Sequence, residues 1–474
     1  MPISLRLNER KTLLVLTDLI LVNLTVLLSL WIWAVRGDFP FTRLFVFDQI
    51  EWFFFLSALW LVSSLLVGLY DLPRITNLAA AANALARAIG LVILVYLGIY
   101  FFFPSPGSLP RGIVLYQGIS SFILIISARA VFMALIRRSV FARKAIVVGA
   151  GSAGLEIVRA IRNYAPVHYQ LVGFVDEDAA KQGKKIRVEL GSQPALELPV
   201  LGAARDLVAC VQANDVPEII LAITNEISVP LIDALLECKV QGREITLMPI
   251  LYEQLTGMVP VDHVGNNWNA VLPLETAESG GWYPMTKRIF DITGALIGLS
   301  IFLPLLPFLT LAIRLDSPGS VFYSQTRAGK GGRLFQTFKM RTMVMDAEKF
   351  GAQQATENDP RVTRVGKWLR KMRLDEMPQL LNVLKGEMSA VGPRPERPEH
   401  LKQFDELIPF HRLRNSVRPG MAGWAVINYD YIDSIDDAKI RLQYDLYYIK
   451  HQSLWLDILI LIRTIGQVFA LKGR

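Results

Sequence analysis

An aspartate and a glutamate stand side by side at Asp375 and Glu376, directly after a run of cations: Arg361, Arg364, Lys367, Arg370, Lys371 and Arg373. No acid interrupts that run. Adjacent carboxylates are mostly exposed surface charge, but among cations they admit a second chemistry. A carboxylate can attack a phosphoanhydride when neighbouring cations cancel the phosphate charge, and a second carboxylate can hold Mg²⁺ against the phosphate oxygens. Lys339, Arg341, Arg370 and Arg394 are the candidate clamps. The basic run itself, with Trp368 and Leu369 interleaved, fits an amphipathic helix in a lipid headgroup region, the alternative being a solvated basic face.

A second candidate site lies earlier. Lys144 to Val148 is a β-branched run ending in Gly149-Ala150-Gly151-Ser152-Ala153-Gly154, followed by a helical segment to about Asn163 and a second strand, Tyr169 to Val175, that ends at Asp176. Strand, glycine turn, helix and a later acid make a dinucleotide-type fingerprint. Gly149, Gly151 and Gly154 would form the turn, Gly151 would let a pyrophosphate approach the helix N-terminus, and Asp176 would accept from a ribose hydroxyl. The alternative is a Rossmann-like spacer whose glycines serve packing. Cys210 and Cys238 have no metal-ligand spacing and read as reduced thiols, and the five histidines show no paired spacing.

The elements that must hold these residues are partly membrane-bound. The chain has 474 residues, 52% hydrophobic and 19% charged, with two cysteines, and a mean hydropathy of +0.35. These values exclude a disulfide scaffold, a disordered tail and a small single domain. Leu13 to Val35, Trp52 to Tyr70, Ala84 to Phe103 and Ile113 to Ile136 are each expected to cross a hydrocarbon core of roughly 30 Å. The first run is too long for a cleaved signal peptide and stays as an anchor. Arg6, Arg10 and Lys11 before the first span, and Arg129, Arg137, Arg138, Arg143 and Lys144 around the end of the fourth, put both ends in the cytoplasm. Asp18 and Asn23 fall inside the first span, either as functional groups or as polar groups facing neighbouring helices. The net charge of +8 suits anionic headgroups or phosphorylated substrates; with membrane spans present, nucleic acid is not the expected partner.

A fifth apolar stretch, Ile289 to Ile313, has Lys287 and Arg288 before it, Arg314 after it, and Pro304 and Pro307 in its second half. A straight crossing would put one basic end outside; a helix broken at the prolines and returning keeps both in the cytoplasm, so a re-entrant segment is expected. The terminal segment Leu454 to Leu471 is expected to lie against the bilayer, a buried core helix being the alternative.

Residues 287 to 474 resemble the bacterial sugar transferases, the polyprenyl-phosphate hexose-1-phosphate transferases. The resemblance rests on Leu374-Asp375-Glu376-Met377-Pro378-Gln379-Leu380 and on the run from Gly386 to Pro395, with support from Lys339–Met343, Arg418–Trp424 and Tyr444–Lys450. Four spans and a Rossmann-like domain ahead of the catalytic part are similar to the large members that initiate exopolysaccharide, capsule or O-antigen synthesis. The resemblance implies that Asp375 attacks the β-phosphate of a UDP-hexose, releases UMP and carries a phosphosugar that undecaprenyl phosphate then takes. It implies that Glu376 binds Mg²⁺ with Asp375 close by, and that Arg370 and Arg394 handle phosphate. Small relatives break the membrane helix at Ser-Pro, where this chain has Leu303-Pro304.

The expected fold is a multidomain membrane protein. It comprises a four-helix transmembrane bundle (1–140), a Rossmann-like α/β domain (141–255), a linker (256–286) and a mostly α monotopic catalytic domain with the re-entrant helix (287–474). Expected partners are UDP-hexose, with glucose and galactose both admitted, undecaprenyl phosphate and membrane lipids of the bacterial inner membrane. The catalytic domain would face the cytoplasm, and a homodimer is the prior for assembly. Two rivals stand beside this reading. An NAD-dependent membrane dehydratase or epimerase needs a Tyr-x-x-x-Lys pair, offered only by Tyr283 and Lys287 with Pro284 between them. A non-catalytic scaffold would sense nucleotide through Gly149–Gly154.

Overall fold

The computed structural model describes residues 7–38, 40–71, 77–102, 111–136, 142–191, 193–264, 271–272, 281–345, 347, 359–429 and 434–469. Arg6, Arg137, Arg138, residues 104–110 and residues 470–474, on which parts of the topology reading rest, lie outside these. The chain divides into two compact units, Met1–Thr256 and Gly257–Arg474.

The first unit opens with α1 (Leu7–Gly37), α2 (Ile50–Leu66), α3 (Leu78–Phe102) and α4 (Arg111–Ile136). Stretches of α1, α3 and α4 are long and apolar enough to cross a membrane, and a later helix in the second unit shares that property. The second expected span is shorter than the sequence suggested. Its helix stops at Leu66, in a turn closed by the Leu69 N–H donating to the Ser64 carbonyl at 2.9 Å. At 17 residues α2 sits at the lower limit for spanning. Leu30, Leu56, Trp60, Leu85, Tyr96 and Ile125 fill the bundle core.

Three polar residues of α1, Asp18, Asn23 and Thr25, reach neighbouring helices. Arg129 donates to Asp18 at 2.6 Å with both side chains buried, and Asn23 donates to Ser57 Oγ at 2.9 Å. Thr25 and Ser121 hydrogen-bond at 2.7 Å. In an apolar bundle such pairs fix helix register, because an unpaired polar group there is costly. Asp18 therefore takes the helix-facing reading.

The rest of this unit is a six-stranded sheet of order β3-β4-β2-β1-β5-β6. The strands are β1 (Arg143–Val148), β2 (Tyr169–Val175), β3 (Lys185–Leu190), β4 (Gln193–Gly202), β5 (Glu218–Leu221) and β6 (Glu244–Leu247). All neighbours pair in parallel except β3 with β4. Helices α5 (Ser152–Tyr164), α6 (Leu207–Ala213) and α7 (Val229–Val240) cross between strands, and α8 (Met248–Thr256) follows β6. This is the expected doubly wound arrangement with an antiparallel edge hairpin, β3–β4, that the sequence reading did not include. Both cysteines are free thiols.

The second unit is built on α9 (Tyr283–Asp316), the hairpin β7 (Phe322–Ala328) and β8 (Leu334–Met340), and α10 (Arg364–Lys371). It continues with α11 (Leu380–Lys385), β9 (Ser389–Val391), α12 (Pro398–Leu407), β10 (Gly420–Ala422), α13 (Trp424–Asn428), α14 (Ile435–Lys450) and α15 (Leu454–Phe469). The described part of the expected linker belongs to this unit's core. Val259, Val261 and Val271 are buried with Phe404, Leu446 and Ile449, and the Val259 N–H donates to the Gln443 carbonyl.

The expected break in α9 is not an interruption. Pro304 and Pro307 lie inside one 34-residue helix, roughly 51 Å long. Its two ends attach to the same body. Near the start, Lys287 donates to Asp457 at 2.9 Å, Arg288 to the carbonyls of Val383 and Leu384, and Ser389 Oγ to Asp291 at 2.9 Å. At the end, Asp316 accepts from the Val365 N–H at 2.8 Å. Between them Ala295, Leu299 and Phe302 pack inward, while Leu296, Ile297, Ile301, Leu303, Phe308 and Leu315 are exposed. An apolar outer face of that extent marks a lipid-facing surface.

Helix α15 has one buried and one exposed face. Ile460 and Asp457 are buried, whereas Trp455 and Ile465 are exposed.

Candidate active site

Strand β8 carries Lys339 and runs into Arg341 and Thr342. Thr363 starts α10 by accepting the Gly366 N–H at 3.0 Å, the usual N-cap arrangement. A Cβ on Gly366 would meet the Thr342 carbonyl oxygen at 2.1 Å, so only glycine lets α10 approach the end of β8. That approach lets Arg370 Nε donate to Thr342 Oγ1 at 2.9 Å.

After α10, Arg373 adopts a left-handed conformation at φ 54° and starts the 3₁₀ turn Leu374–Gln379, which carries Asp375 and Glu376. A non-glycine residue in that region is locally strained, and such strain clusters at functional sites. The fourth cation arrives on the loop after β9. Gly392 and Gly420 meet backbone to backbone there: a Cβ on Gly420 would lie 2.0 Å from the Gly392 nitrogen. The two glycine-proline motifs of the sequence are thus one crossing of two loops, and it carries Arg394.

Lys339 Nζ and Arg394 both donate to Glu376 Oε1, at 2.8 and 2.9 Å. Burial alone would raise the Glu376 pKa, but Arg394 and Lys339 outweigh it and hold the carboxylate well below its ordinary range. Asp375 behaves oppositely. Burial, then the charge of Glu376, pushes its pKa up, against the pull of Lys339, Arg370 and Arg394. Among the described residues no hydrogen bond or ion pair holds the Asp375 carboxylate. One carboxylate is therefore clamped and the other has its lone pairs available. Burial pushes the Lys339 and Arg370 pKa values down as well.

The pair opens onto a cavity of about 520 Å³ lined by nine cationic side chains and three carboxylates. The cations are Arg327, Lys339, Arg341, Arg361, Arg370, Arg373, Arg394, Arg397 and Arg441. Such an excess suits a polyanionic ligand such as a diphosphate. Three of the four expected clamps, Lys339, Arg370 and Arg394, converge on the acidic pair. Arg341 lines the cavity but is spent differently: it donates to the carbonyls of Pro318 and Ser317 at 2.7 and 2.6 Å. It ties down the backbone that leaves α9, so its role as a phosphate clamp is not carried by its geometry.

A buried network behind the site was missed from sequence. Arg414 donates to Glu396 at 3.1 Å, to the Arg394 carbonyl at 3.0 Å and to Asp445 at 2.8 Å. Burial would raise Glu396, but Arg414 and Arg441 lower it to about 2. The network fixes the backbone of Arg394. Glu396 stands two residues past Arg394, which is the signal that could have pointed to it; Asp445 lies in the Tyr444–Lys450 run that supported the resemblance, and Arg414 gave none. Arg361 is likewise held by Asp359, at 2.6 Å. The basic run divides accordingly: Arg361 and Arg370 line the cavity, and Trp368, Lys367 and Lys371 are exposed.

Tyr283 and Lys287 form a structural knot. Tyr283 donates to Asp457 at 3.1 Å, Lys287 to Asp457 and to the Val391 carbonyl, and Tyr448 to Asp457 at 2.7 Å. This buried cluster binds α9 to α14 and α15, and the dehydratase reading loses its catalytic pair.

In the glycine-rich domain, Gly149 sits at φ 104° against the Ala222 carbonyl, and a Cβ on Gly154 would lie 1.9 Å from the Gly149 oxygen. Of the three turn glycines, Gly151 alone borders open space. Asp176 accepts the Ala150 N–H at 2.7 Å and pairs with Lys181 at 3.3 Å. The acid expected to meet a ribose is bonded to the glycine turn itself, and Gly149 and Gly154 serve strand-helix packing.

Comparison with known proteins agrees with this architecture. Residues 282–471 match the family described as bacterial sugar transferase, and residues 65–249 match one described as CoA-binding domain. The chain is 46% identical over 217 residues to a UDP-N-acetylgalactosamine-undecaprenyl-phosphate N-acetylgalactosaminephosphotransferase of Aeromonas hydrophila, covering 46% of this chain and 50% of that protein. It is 42% identical over 206 residues to a UDP-glucose:undecaprenyl-phosphate glucose-1-phosphate transferase of Escherichia coli, covering 43% and 44%. A Caulobacter vibrioides protein of the same description is 40% identical over 199 residues, 40% of this chain and 74% of that protein. The chain thus spans about half the length of the first two relatives and three quarters of the third. With an acidic pair, its cations and its helical scaffold all falling within the matched segment, the chain belongs to the bacterial sugar transferase family.

Proposed function

We propose that the protein transfers a hexose 1-phosphate from a UDP-sugar to undecaprenyl phosphate at the cytoplasmic face of a bacterial inner membrane, releasing UMP and initiating a surface polysaccharide. The observation that carries this reading is Asp375: a buried carboxylate with no hydrogen bond among the described residues, beside a clamped one, on the wall of a cationic cavity. The relatives named above act on UDP-sugars and undecaprenyl phosphate, which supports the same substrate classes here.

In the first step an Asp375 oxygen attacks the β-phosphorus of the UDP-sugar. The bond from that phosphorus to the oxygen bridging to the α-phosphate breaks, and UMP leaves with the electron pair. In the second step a phosphate oxygen of the lipid attacks the same phosphorus, the acyl phosphate bond breaks, and Asp375 is again a carboxylate. Both nucleophiles are anions, so neither step requires a proton to be removed. What the protein must supply is positive charge around the phosphoryl group, from Lys339, Arg370 and Arg394.

No cluster of three or more His, Cys, Asp or Glu is present among the described residues. Two carboxylates fit Mg²⁺, which keeps several waters and shares substrate phosphates. Asp375 and Glu376 would hold it, and it would neutralise diphosphate charge. We further read α9 as lying in one leaflet with both ends on the cytoplasmic side. Its attachment to one body at both ends supports this.

The test uses purified full-length protein, undecaprenyl phosphate and a panel of UDP-hexoses and UDP-N-acetylhexosamines. At least one donor yields UMP and a lipid diphosphate sugar, and Asp375→Asn lowers UMP release by about a thousandfold or more. Unimpaired turnover in that variant overturns the assignment.

A further inference from the structure

The cavity has one wall that its cations do not explain. Met343, Val344 and Met345 line it, and Val344 and Met345 are also exposed, Met345 to 70%. This lip is held in place: Met343 bridges to Val362, and the Val344 N–H donates to the Arg361 carbonyl at 3.0 Å. It also reaches the turn that follows α9, since a Cβ on Gly319 would lie 2.5 Å from Met345 Sδ. Just before that turn, Leu311 and Leu315 are exposed on the apolar face of α9. An apolar path thus runs from the lipid-facing helix to the rim of a polar, cationic cavity.

We propose that Val344, Met345 and the end of α9 form the subsite for the first isoprene units of the acceptor lipid. The inference rests on the function proposed above. A nucleotide sugar is polar throughout and gains little from thioethers and a valine. A polyprenyl phosphate needs both halves of this arrangement, cations for its head and an apolar exit for its chain. Methionine suits an irregular isoprenoid because its unbranched side chain repacks readily.

The test compares undecaprenyl phosphate with a two-isoprene phosphate as acceptor, using full-length protein in detergent. For Val344→Asn and Met345→Asn, KM for undecaprenyl phosphate rises about tenfold or more, the loss of roughly two buried methylene groups. The effect is of similar size for the short acceptor, whose two isoprene units fill the same subsite, and Met345→Leu stays within about twofold of the unsubstituted protein on the same apolar-transfer grounds. An unchanged undecaprenyl phosphate KM overturns the subsite, as does a loss confined to undecaprenyl phosphate, the result expected of contact with the distal chain or the bilayer. Exchange of labelled UMP into UDP-sugar by unsubstituted protein needs no acceptor and reports on the underlying reading. Exchange without a lip effect removes the subsite alone, whereas no exchange with any UDP-sugar removes both.

Discussion

Asp375 and Glu376 are neighbours in sequence with opposite electrostatic fates. Lys339 and Arg394 grip the same oxygen of Glu376, so its charge persists at any working pH. Asp375 is buried beside that charge, and its pKa rises. Nucleophilic attack requires it ionised, so activity falls as pH drops through a raised value, and the acid limb of UMP release lies above the ordinary aspartate range of about 4. Glu376→Gln removes a charge that raises Asp375, and the residual activity should have its acid limb at lower pH. Lys339→Met removes an opposing cation and should move the limb higher. Limbs that stay fixed in both variants would contradict this coupling. The same shift has a stability consequence. An acid whose folded pKa is raised costs stability once pH exceeds its unfolded value, so Asp375→Asn should melt no lower than the parent protein at pH 7.5.

At the scale of elements, the site depends on α10 lying close against the end of β8. Gly366→Ala forces a Cβ into the Thr342 carbonyl. Overpacking of this kind costs about 1–3 kcal/mol, and it also displaces Arg370 from Thr342. We expect a melting temperature several degrees lower and UMP release reduced by about tenfold or more; parent-like values for both would show that α10 is not held this tightly. How much of this was legible follows from the kind of signal each element left. The doubly wound order followed from β-branched runs and a glycine turn, and the acidic pair stood out by its cationic neighbours. The edge hairpin β3–β4 was missed because strands such as Lys185–Leu190 alternate charge with single apolar residues. Arg341 read as a clamp because sequence records a charge but not its partner, and its partners are backbone carbonyls. Arg414 and Asp445 are 31 positions apart, so the Tyr444–Lys450 run supported the resemblance without naming the partner of its aspartate. The residues taken as a linker are core because a few valines suffice to dock an otherwise irregular segment.

For the molecule as a whole, the proposed reaction requires a nucleotide sugar and a lipid phosphate to meet, and the long apolar helix α9 would set where. Both ends of α9 are tied to the same unit by polar contacts, buried at Lys287 and part-buried at Asp316, and a helix crossing the bilayer would have to break one set. Single cysteines at Met285 and Ser320, both exposed, in a background lacking Cys210 and Cys238, should therefore label from the same side of sealed vesicles. Labelling from opposite sides would overturn the re-entrant reading while leaving the chemistry of the acidic pair untouched. That chemistry is reached most directly by withholding the acceptor, so that the second step cannot occur. Full-length protein mixed with its UDP-sugar, quenched in acid and mapped by peptide mass spectrometry should carry one hexose phosphate on Asp375, with UMP released in matching amount. UMP released with no adduct, or an adduct on any other residue, would contradict the account.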